Sequence, residues 1–313
     1  MILDIVKPGP LATLQAGARA GLRHQGIPAS GPADPLSMAL ANRLAGNAPD
    51  VPAIEITFGG AEFRFLADTA FALAGAAPRG DLSGQIVRPH ETLSARAGDI
   101  LHIPHPPAGV RTYLAIPGGF HADVAFGSAS TFIPAGFGGH SGRALRAGDV
   151  LAAAGNPSQA IPQLATPPAL RPHMSHAHTL RAVPGPDYEM AAAAAWSETF
   201  RASNRMDRTG LELAGAWPAS VAGALRPSAA LFAGAVQLTP SGNAFVLLPD
   251  AQTTGGYPHV LQVIRADRHL LGQVAPGDRV QFLKRSVNEA SDDLRSKAEY
   301  FADWLPGGVF GGQ

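Results

Sequence analysis

One short turn, used three times, constrains this chain more than any other feature. Ala97-Gly-Asp99 precedes Ile100-Leu-His-Ile103, Ala147-Gly-Asp149 precedes Val150-Leu-Ala152, and Pro276-Gly-Asp278 precedes Val280-Gln-Phe282. Each places a Gly-Asp turn ahead of a short alternating apolar segment, the pattern of a turn feeding a strand. The spacing is too irregular for a solenoid. The 36 glycines and 28 prolines run through all 313 residues, which points to many short strands joined by tight turns rather than a bundle of long helices. The expectation is a mainly β chain of barrel-like modules built by similar rules.

Composition narrows the function. Apolar residues make up 46% and charged residues 15%, enough for a large core and unlike a disordered chain. With formal net charge zero there is no basic stripe to neutralise phosphates, so no nucleic-acid partner is expected. The absence of cysteine removes disulfides, thiolate metal sites and cysteine nucleophiles together. Met1-Ile-Leu-Asp4 carries an acid where a signal peptide needs basic residues, and no run approaches the ~20 apolar residues of a membrane span. A soluble cytoplasmic protein is expected.

Between Asn156 and Arg171 the strand pattern gives way to a Pro/Ala/Gln-rich stretch, read as a linker between two β-rich halves. The domains are then 1–160, 172–286, and a C-terminal helix over 287–305. Two helices carry start signals. Asp34 caps a helix with Pro35 in its first turn and Gly46 past its end. Ser286 and Glu289 form a capping box before a stripe of Val287, Ala290, Leu294, Ala298, Phe301 and Leu305, expected to face the core. The closing Pro306–Gln313 reads as a frayed tail.

The densest chemical signal is Asp250-Ala-Gln-Thr-Thr-Gly-Gly-Tyr-Pro258, which follows the apolar Ala244–Leu248. Gly255 and Gly256 can take φ > 0 and converge their N–H groups into an anion-binding nest. Gln252, Thr253 and Thr254 add hydrogen-bonding groups. A polar hairpin turn explains the same residues. Arg201, Arg205 and Arg208 form a second polar stretch able to clamp a carboxylate or phosphate, or to make surface salt bridges. The Gly26–Asp34 loop, with Ser30, runs into a helix N-terminus near Asn42, and is either an anion site or a well-capped helix. The His173, His176, His178 group lacks a nearby carboxylate in sequence, so no metal is expected. No phosphate-binding P-loop or dinucleotide fingerprint is present, and Gly139-His-Ser-Gly142 ends in Arg143 where a nucleophile elbow needs glycine.

Taken in order, these segments resemble one family over nearly the whole chain. The resemblance is carried by Lys7-Pro-Gly-Pro-Leu-Ala-Thr-Leu-Gln15, Gly26-Ile-Pro-Ala-Ser-Gly31, Leu40-Ala-Asn-Arg-Leu-Ala-Gly-Asn47, Arg111-Thr-Tyr-Leu-Ala-Ile-Pro-Gly-Gly119, Gly185-Pro-Asp187, Ser203-Asn-Arg-Met206, Gly234-Ala-Val-Gln237 and Gln252–Pro258, followed by Gln273-x-x-Pro-Gly277. The family is that of the 5-oxoprolinase C subunits, a biotin-dependent-carboxyltransferase-like group also known as allophanate hydrolase subunit 2 or the Kip inhibitor antagonist. It is similar to one half of the carboxyltransferase region of urea carboxylase.

The resemblance implies two cyclophilin-like β-barrel domains with a few short helices, and partnership with 5-oxoprolinase subunits B and A. It implies ATP-dependent hydrolysis of a small lactam, 5-oxo-L-proline, to L-glutamate, with the ATP site open between this chain and a partner. Biotin is not carried by this chain. The substrate-binding residues it implies are Arg205, Met206, Gln237, Asp250, Gln252, Thr253, Thr254, Gly255, Gly256, Tyr257, Ser30, Asp34 and Asn42, with the catalytic residues and general base unassigned. The chain departs from the family pattern at Ala16, Asp207 and Ala229, which would alter the charge of a site. A regulatory subunit, or a carboxyltransferase half acting on urea or another amide, are the alternatives.

Overall fold

The computed structural model describes residues 1–156, 158, 160–217 and 226–310. It divides into two compact units, each dominated by strands. The first comprises Met1–Arg19, Ser30–Met174 and Phe301–Val309; the second comprises Ala20–Ala29, Ser175–Tyr300 and Phe310.

The first unit contains β1 (Leu3–Lys7), β2 (Leu11–Gln15), α1 (Pro35–Leu44), β3 (Ala53–Thr57), β4 (Ala61–Phe65), β5 (Thr69–Gly75), β6 (Gly80–Leu82), β7 (Gln85–Val87), β8 (Thr92–Ala95), β9 (Ile100–Ile103), β10 (Arg111–Ala115) and β11 (Val150–Leu151). These form a six-stranded sheet in the order β11-β1-β4-β9-β6-β7 and a five-stranded sheet in the order β2-β3-β10-β5-β8. Both sheets turn their apolar residues, among them Ile5, Leu14, Ile56, Phe63, Phe71 and Leu114, into one shared core. Helix α1 starts as expected: Asp34 Oδ1 accepts from Ser37 N at 2.9 Å, and Pro35 occupies the first turn. Gly46, at φ +75, closes it.

The second unit contains β12 (Ala177–Pro184), α2 (Ala192–Ser197), β13 (Phe200–Met206), β14 (Gly210–Ala214), β15 (Ala229–Ala230), β16 (Ala235–Leu238), β17 (Ala244–Leu247), β18 (Thr254–Gly255), β19 (His259–Val263), α3 (Arg268–Leu271), β20 (Arg279–Lys284) and α4 (Val287–Phe301). Seven of its strands close a barrel in the order β12-β19-β16-β17-β14-β13-β20. The ring shuts through a parallel pair, β12 against β20, in register from Ala177↔Arg279 to Ala182↔Lys284. Side chains alternate along each strand: Leu211, Leu213, Val236, Leu238, Val246 and Phe282 fill the core, where Phe200 and Trp217 stack at 4.0 Å.

All three Gly-Asp turns have one geometry. Gly98, Gly148 and Gly277 take φ of +95, +88 and +88. The following aspartate accepts from the backbone N–H three residues earlier, Arg96, Arg146 and Ala275, at 2.8, 2.7 and 2.8 Å. This is a turn with glycine in the left-handed region at its third position and a carboxylate latch. In the second copy Asp149 also receives both guanidinium nitrogens of Arg143 at 2.7 Å. Those bonds outweigh partial burial and hold its carboxyl at about 2. A folded pKa below the unfolded value gives stability that is present above about 4 and lost as pH falls toward 2. Asp149→Asn should therefore flatten the acid limb of the stability curve over that window, measured by urea denaturation between pH 2 and 5. An unchanged acid limb would show that the latch contributes nothing.

Three expectations about the segments between strands change. The stretch read as a linker is tied to the first unit, since Thr92 N donates to Leu164 O and Thr166 N to His90 O, at 2.8 and 2.9 Å. The α4 capping box is present, with Ser286 N to Glu289 Oε2 at 2.7 Å and Glu289 N to Ser286 Oγ at 3.2 Å. Its apolar stripe faces the core only at its end, where Phe301 and Leu305 are buried; Ala290, Leu294 and Ala298 are half-buried, and Val287 is exposed. Charge holds the helix instead: Arg181 bridges Asp267 and Asp293, each at 2.6 Å. The tail is anchored at Phe310, which is buried with its ring edge-on to His269 at 5.8 Å. Among the described residues no helix is long and apolar enough to cross a membrane.

Candidate functional site

The outward residues of the barrel wall build the candidate site. On β14, β16 and β17 the residues between the core positions are Glu212, Gln237 and Phe245. The strand register sets them side by side, Gln237 opposite Phe245 and Phe245 opposite Glu212. Adjacent strands stand ~4.8 Å apart, so the three form a row across the wall. Arg205, at the end of β13, reaches the Glu212 end: its Nη1 lies 2.9 Å from Glu212 Oε1, and its guanidinium sits over the Phe245 ring at 5.3 Å. Ser203 Oγ and Asn243 Nδ2 donate to the same carboxylate at 2.7 and 3.2 Å. Burial alone would raise the Glu212 carboxyl, but these hydrogen bonds and the Arg205 charge hold it below the ordinary range. Arg205 is 68% exposed, leaving guanidinium donors free to meet a ligand.

The Gly-Gly segment covers the Gln237 end. Gln237, itself buried, donates to Tyr257 O at 3.0 Å and accepts from Gln252 Nε2 at 3.4 Å. Gly255 and Gly256 do not take positive φ, so the nest reading is corrected. Thr254–Gly255 is extended and pairs with Ala229–Ala230. Glycine is needed there for close approach. A Cβ on Gly255 would lie 2.6 Å from Leu231 Cδ1 and 3.1 Å from the Gln237 amide, and one on Gly256 would lie 2.7 Å from Arg226 O. Gln252, Thr254 and Tyr257 are exposed along this arch, while Thr253 is buried and its carbonyl accepts from Leu231 N at 2.9 Å. Arg205, Gln237 and the 252–257 arch thus share one face of the barrel.

Other expected site residues are occupied in holding structure. Both Asp250 oxygens pair with Arg208 in a buried fork, at 2.7 and 3.3 Å. Met206 packs against the barrel core. In the first unit, Asp34 is spent on Ser37, and its N–H donates to Tyr113 Oη at 2.8 Å. Asn42 Nδ2 donates to Pro49 O and Val51 O at 3.2 and 2.9 Å. Ser30 is buried at φ +52. Burial, with the Glu55 and Asp34 charges, pushes the Tyr113 hydroxyl well above its ordinary range.

Of the family departures, Asp207 is a local latch: its Oδ1 accepts from Thr209 N and Gly210 N at 2.6 and 3.1 Å. Ala16 N donates to Ser130 Oγ at 2.9 Å, and Ala229 pairs with Gly255.

Three residues were missed in the sequence. Glu212 had a signal, a single charge inside the apolar Gly210–Ala214 strand. Asp187 orders the arch through His259 N at 3.0 Å and Arg226 at 3.4 Å. His259 lies opposite Gln237 in the register. Burial lowers its imidazole below the ordinary range, opposed by a hydrogen bond with the Leu261 backbone and by the Asp187 charge. His176 and His178 meet a carboxylate after all, Asp278 at 2.9 and 3.0 Å. No group of three or more residues among those described is arranged to hold a metal.

The chain as a whole is similar to known proteins. Residues 25–284 fit the model of the carboxyltransferase domain, subdomain A and B, and the chain belongs to that family. Over 304 residues it is 33% identical to the 5-oxoprolinase C subunit of Escherichia coli, covering 96% of each chain. It is 35% identical over 308 residues to the 5-oxoprolinase C subunit of Haemophilus influenzae, covering 97% of each. Among solved structures it resembles the K. lactis urea amidolyase, with TM-score 0.89 at 27% identity over 97% of this chain. It spans only 20% of that larger protein.

Proposed function

We propose that this chain is the C subunit of a cytoplasmic, ATP-dependent 5-oxoprolinase, opening 5-oxo-L-proline to L-glutamate only when assembled with subunits A and B. The observation that carries this reading is the barrel-wall row, in which exposed donors of Arg205, Gln252 and Thr254 flank a buried Gln237. Such a surface can orient a small amide and stabilise charge developing on its carbonyl oxygen. Its carboxylate, Glu212, is already engaged by three side chains, so it suits positioning better than nucleophilic attack. ATP hydrolysis belongs, in this reading, to the assembled complex. The full-length match to the two bacterial 5-oxoprolinase C subunits, against a match to only a fraction of the urea enzymes, favours lactam hydrolysis over carboxyl transfer.

Glutamate release should be absent for the purified chain and appear with ATP once subunits A and B are added. ATP-dependent release by the lone chain would refute dependence on partners. Silence from the full mixture, with partners proven competent with a different C subunit, would favour a regulatory role or a different amide.

A further inference from the structure

One arrangement in the barrel-wall row fixes more than the orientation of an amide. Glu212 is the single acid of the Gly210–Ala214 strand, whose other members are apolar. Its side chain is only 5% exposed. Burying a carboxylate is costly, and a barrel wall packs without one. Ser203 Oγ and Asn243 Nδ2 hold this carboxylate at 2.7 and 3.2 Å, and Arg205 Nη1 meets it at 2.9 Å. Arg205 N also donates to Ser203 Oγ at 3.0 Å, which ties the arginine backbone to the same network. The Phe245 ring, 5.3 Å away, supports the face of the guanidinium.

An exposed arginine ordinarily samples many rotamers. Arg205 is 68% exposed, yet it is fastened at its far end and on one face. Its Nε and Nη2 meet no acceptor among the described residues. These two nitrogens form one edge of the guanidinium, with parallel N–H donors that match a carboxylate. Glu212 does not preclude a second acid there. In the same unit Arg181 holds Asp267 and Asp293 together, each at 2.6 Å. Phe245 stands opposite Gln237, so one strand spacing, ~4.8 Å, separates the supported guanidinium from the Gln237 end of the row. A ligand with its acid group beside its amide can reach both.

We infer that Arg205 is the specificity-determining residue of this site. It binds the carboxylate of an amide whose acid group sits on the carbon beside the amide nitrogen, and Glu212 is its positioning residue. The inference rests on the reading of the row as a lactam site and names the half of the ligand that selects it. A neutral amide leaves the prepared edge unmatched.

The test compares 5-oxo-L-proline with 2-pyrrolidinone, the same ring without the carboxylate. In calorimetric titration of the full chain the acid should bind at least about tenfold more tightly. Arg205→Met should weaken the acid by roughly tenfold to a hundredfold and leave 2-pyrrolidinone unchanged, so that the preference disappears. Arg205→Lys, a point charge without the fork, should recover only part of it. Should Arg205→Met fail to fold, its combination with Glu212→Gln leaves no unpaired carboxylate and carries the same comparison. In the assembled mixture, Arg205→Met should raise KM for 5-oxo-L-proline far more than it lowers kcat. The assignment is overturned by equal wild-type binding of the two compounds, by binding of neither, or by a preference that survives Arg205→Met. Loss of the preference in the variant, with no glutamate release from the wild-type mixture, would refute the reaction and leave the carboxylate assignment standing.

Discussion

Gly256→Val should abolish ATP-dependent glutamate release by the assembled three-subunit mixture while the chain remains folded. The added Cβ would stand 2.7 Å from the Arg226 carbonyl, a backbone atom held in place because Arg226 N donates to Gly256 O at 2.7 Å. The arch must therefore lift, carrying Tyr257 away from Gln237. Overpacking of this kind costs about 1–3 kcal/mol, against ~5–15 kcal/mol for a typical domain. Gly255→Val should lose less activity, because its nearest obstacle is the end of the Leu231 side chain. Since sterics and not backbone dihedral set the requirement, Gly256→Ala should already be impaired. The checks are a circular-dichroism melt and the coupled assay. Full activity in Gly256→Val would remove the arch from the site.

Arg208→Ala should produce the largest loss of stability among single changes in the barrel, about 3–5 kcal/mol, because it leaves the Asp250 carboxylate buried without its partner. Both side chains are nearly inaccessible, and Asp250 N also donates to Arg208 O at 3.0 Å. The pair thereby fixes the start of the arch to the end of the β13–β14 hairpin. Replacing both partners by apolar residues, Arg208→Met with Asp250→Leu, should recover most of the loss. Urea denaturation of the single and double variants decides the matter: a loss below about 1 kcal/mol in Arg208→Ala would show that the fork is not a structural tie. If Asp250 contacted substrate directly, Asp250→Asn would lose activity without losing stability. The fork predicts that both fall together.

Local signals were legible in the sequence wherever a residue acts on its own neighbours. The Gly-Asp turns, the Asp34 cap and the Ser286–Glu289 box all involve partners within four positions, and each is present. The family motif falls on the arch that covers the buried Gln237. What the sequence concealed depends on contacts between distant strands. Gly255 and Gly256 suggested left-handed backbone, yet the reason for glycine lies in Leu231, Gln237 and Arg226, brought near by the barrel. Asp207 looked like an extra site charge, but it bonds two N–H groups of its own turn. Glu212 reads as one acid in a strand until the register places it beside Phe245 and under Arg205. The Pro-rich stretch after Asn156 has linker composition, and only its bonds to residues 90 and 92 show that it lies against a sheet.

The parallel seam between β12 and β20 has a consequence for synthesis. Strand β12 leaves the ribosome first among the barrel strands, yet both its neighbours, β19 and β20, are made last. Until β19 has emerged both edges of β12 are unsatisfied, and until Lys284 has emerged one still is, the kind of surface that pairs with other chains. Closure of so long a loop is slow compared with hairpin formation. The yield of soluble protein should thus depend on holding the nascent chain apart from its neighbours until its final strand arrives.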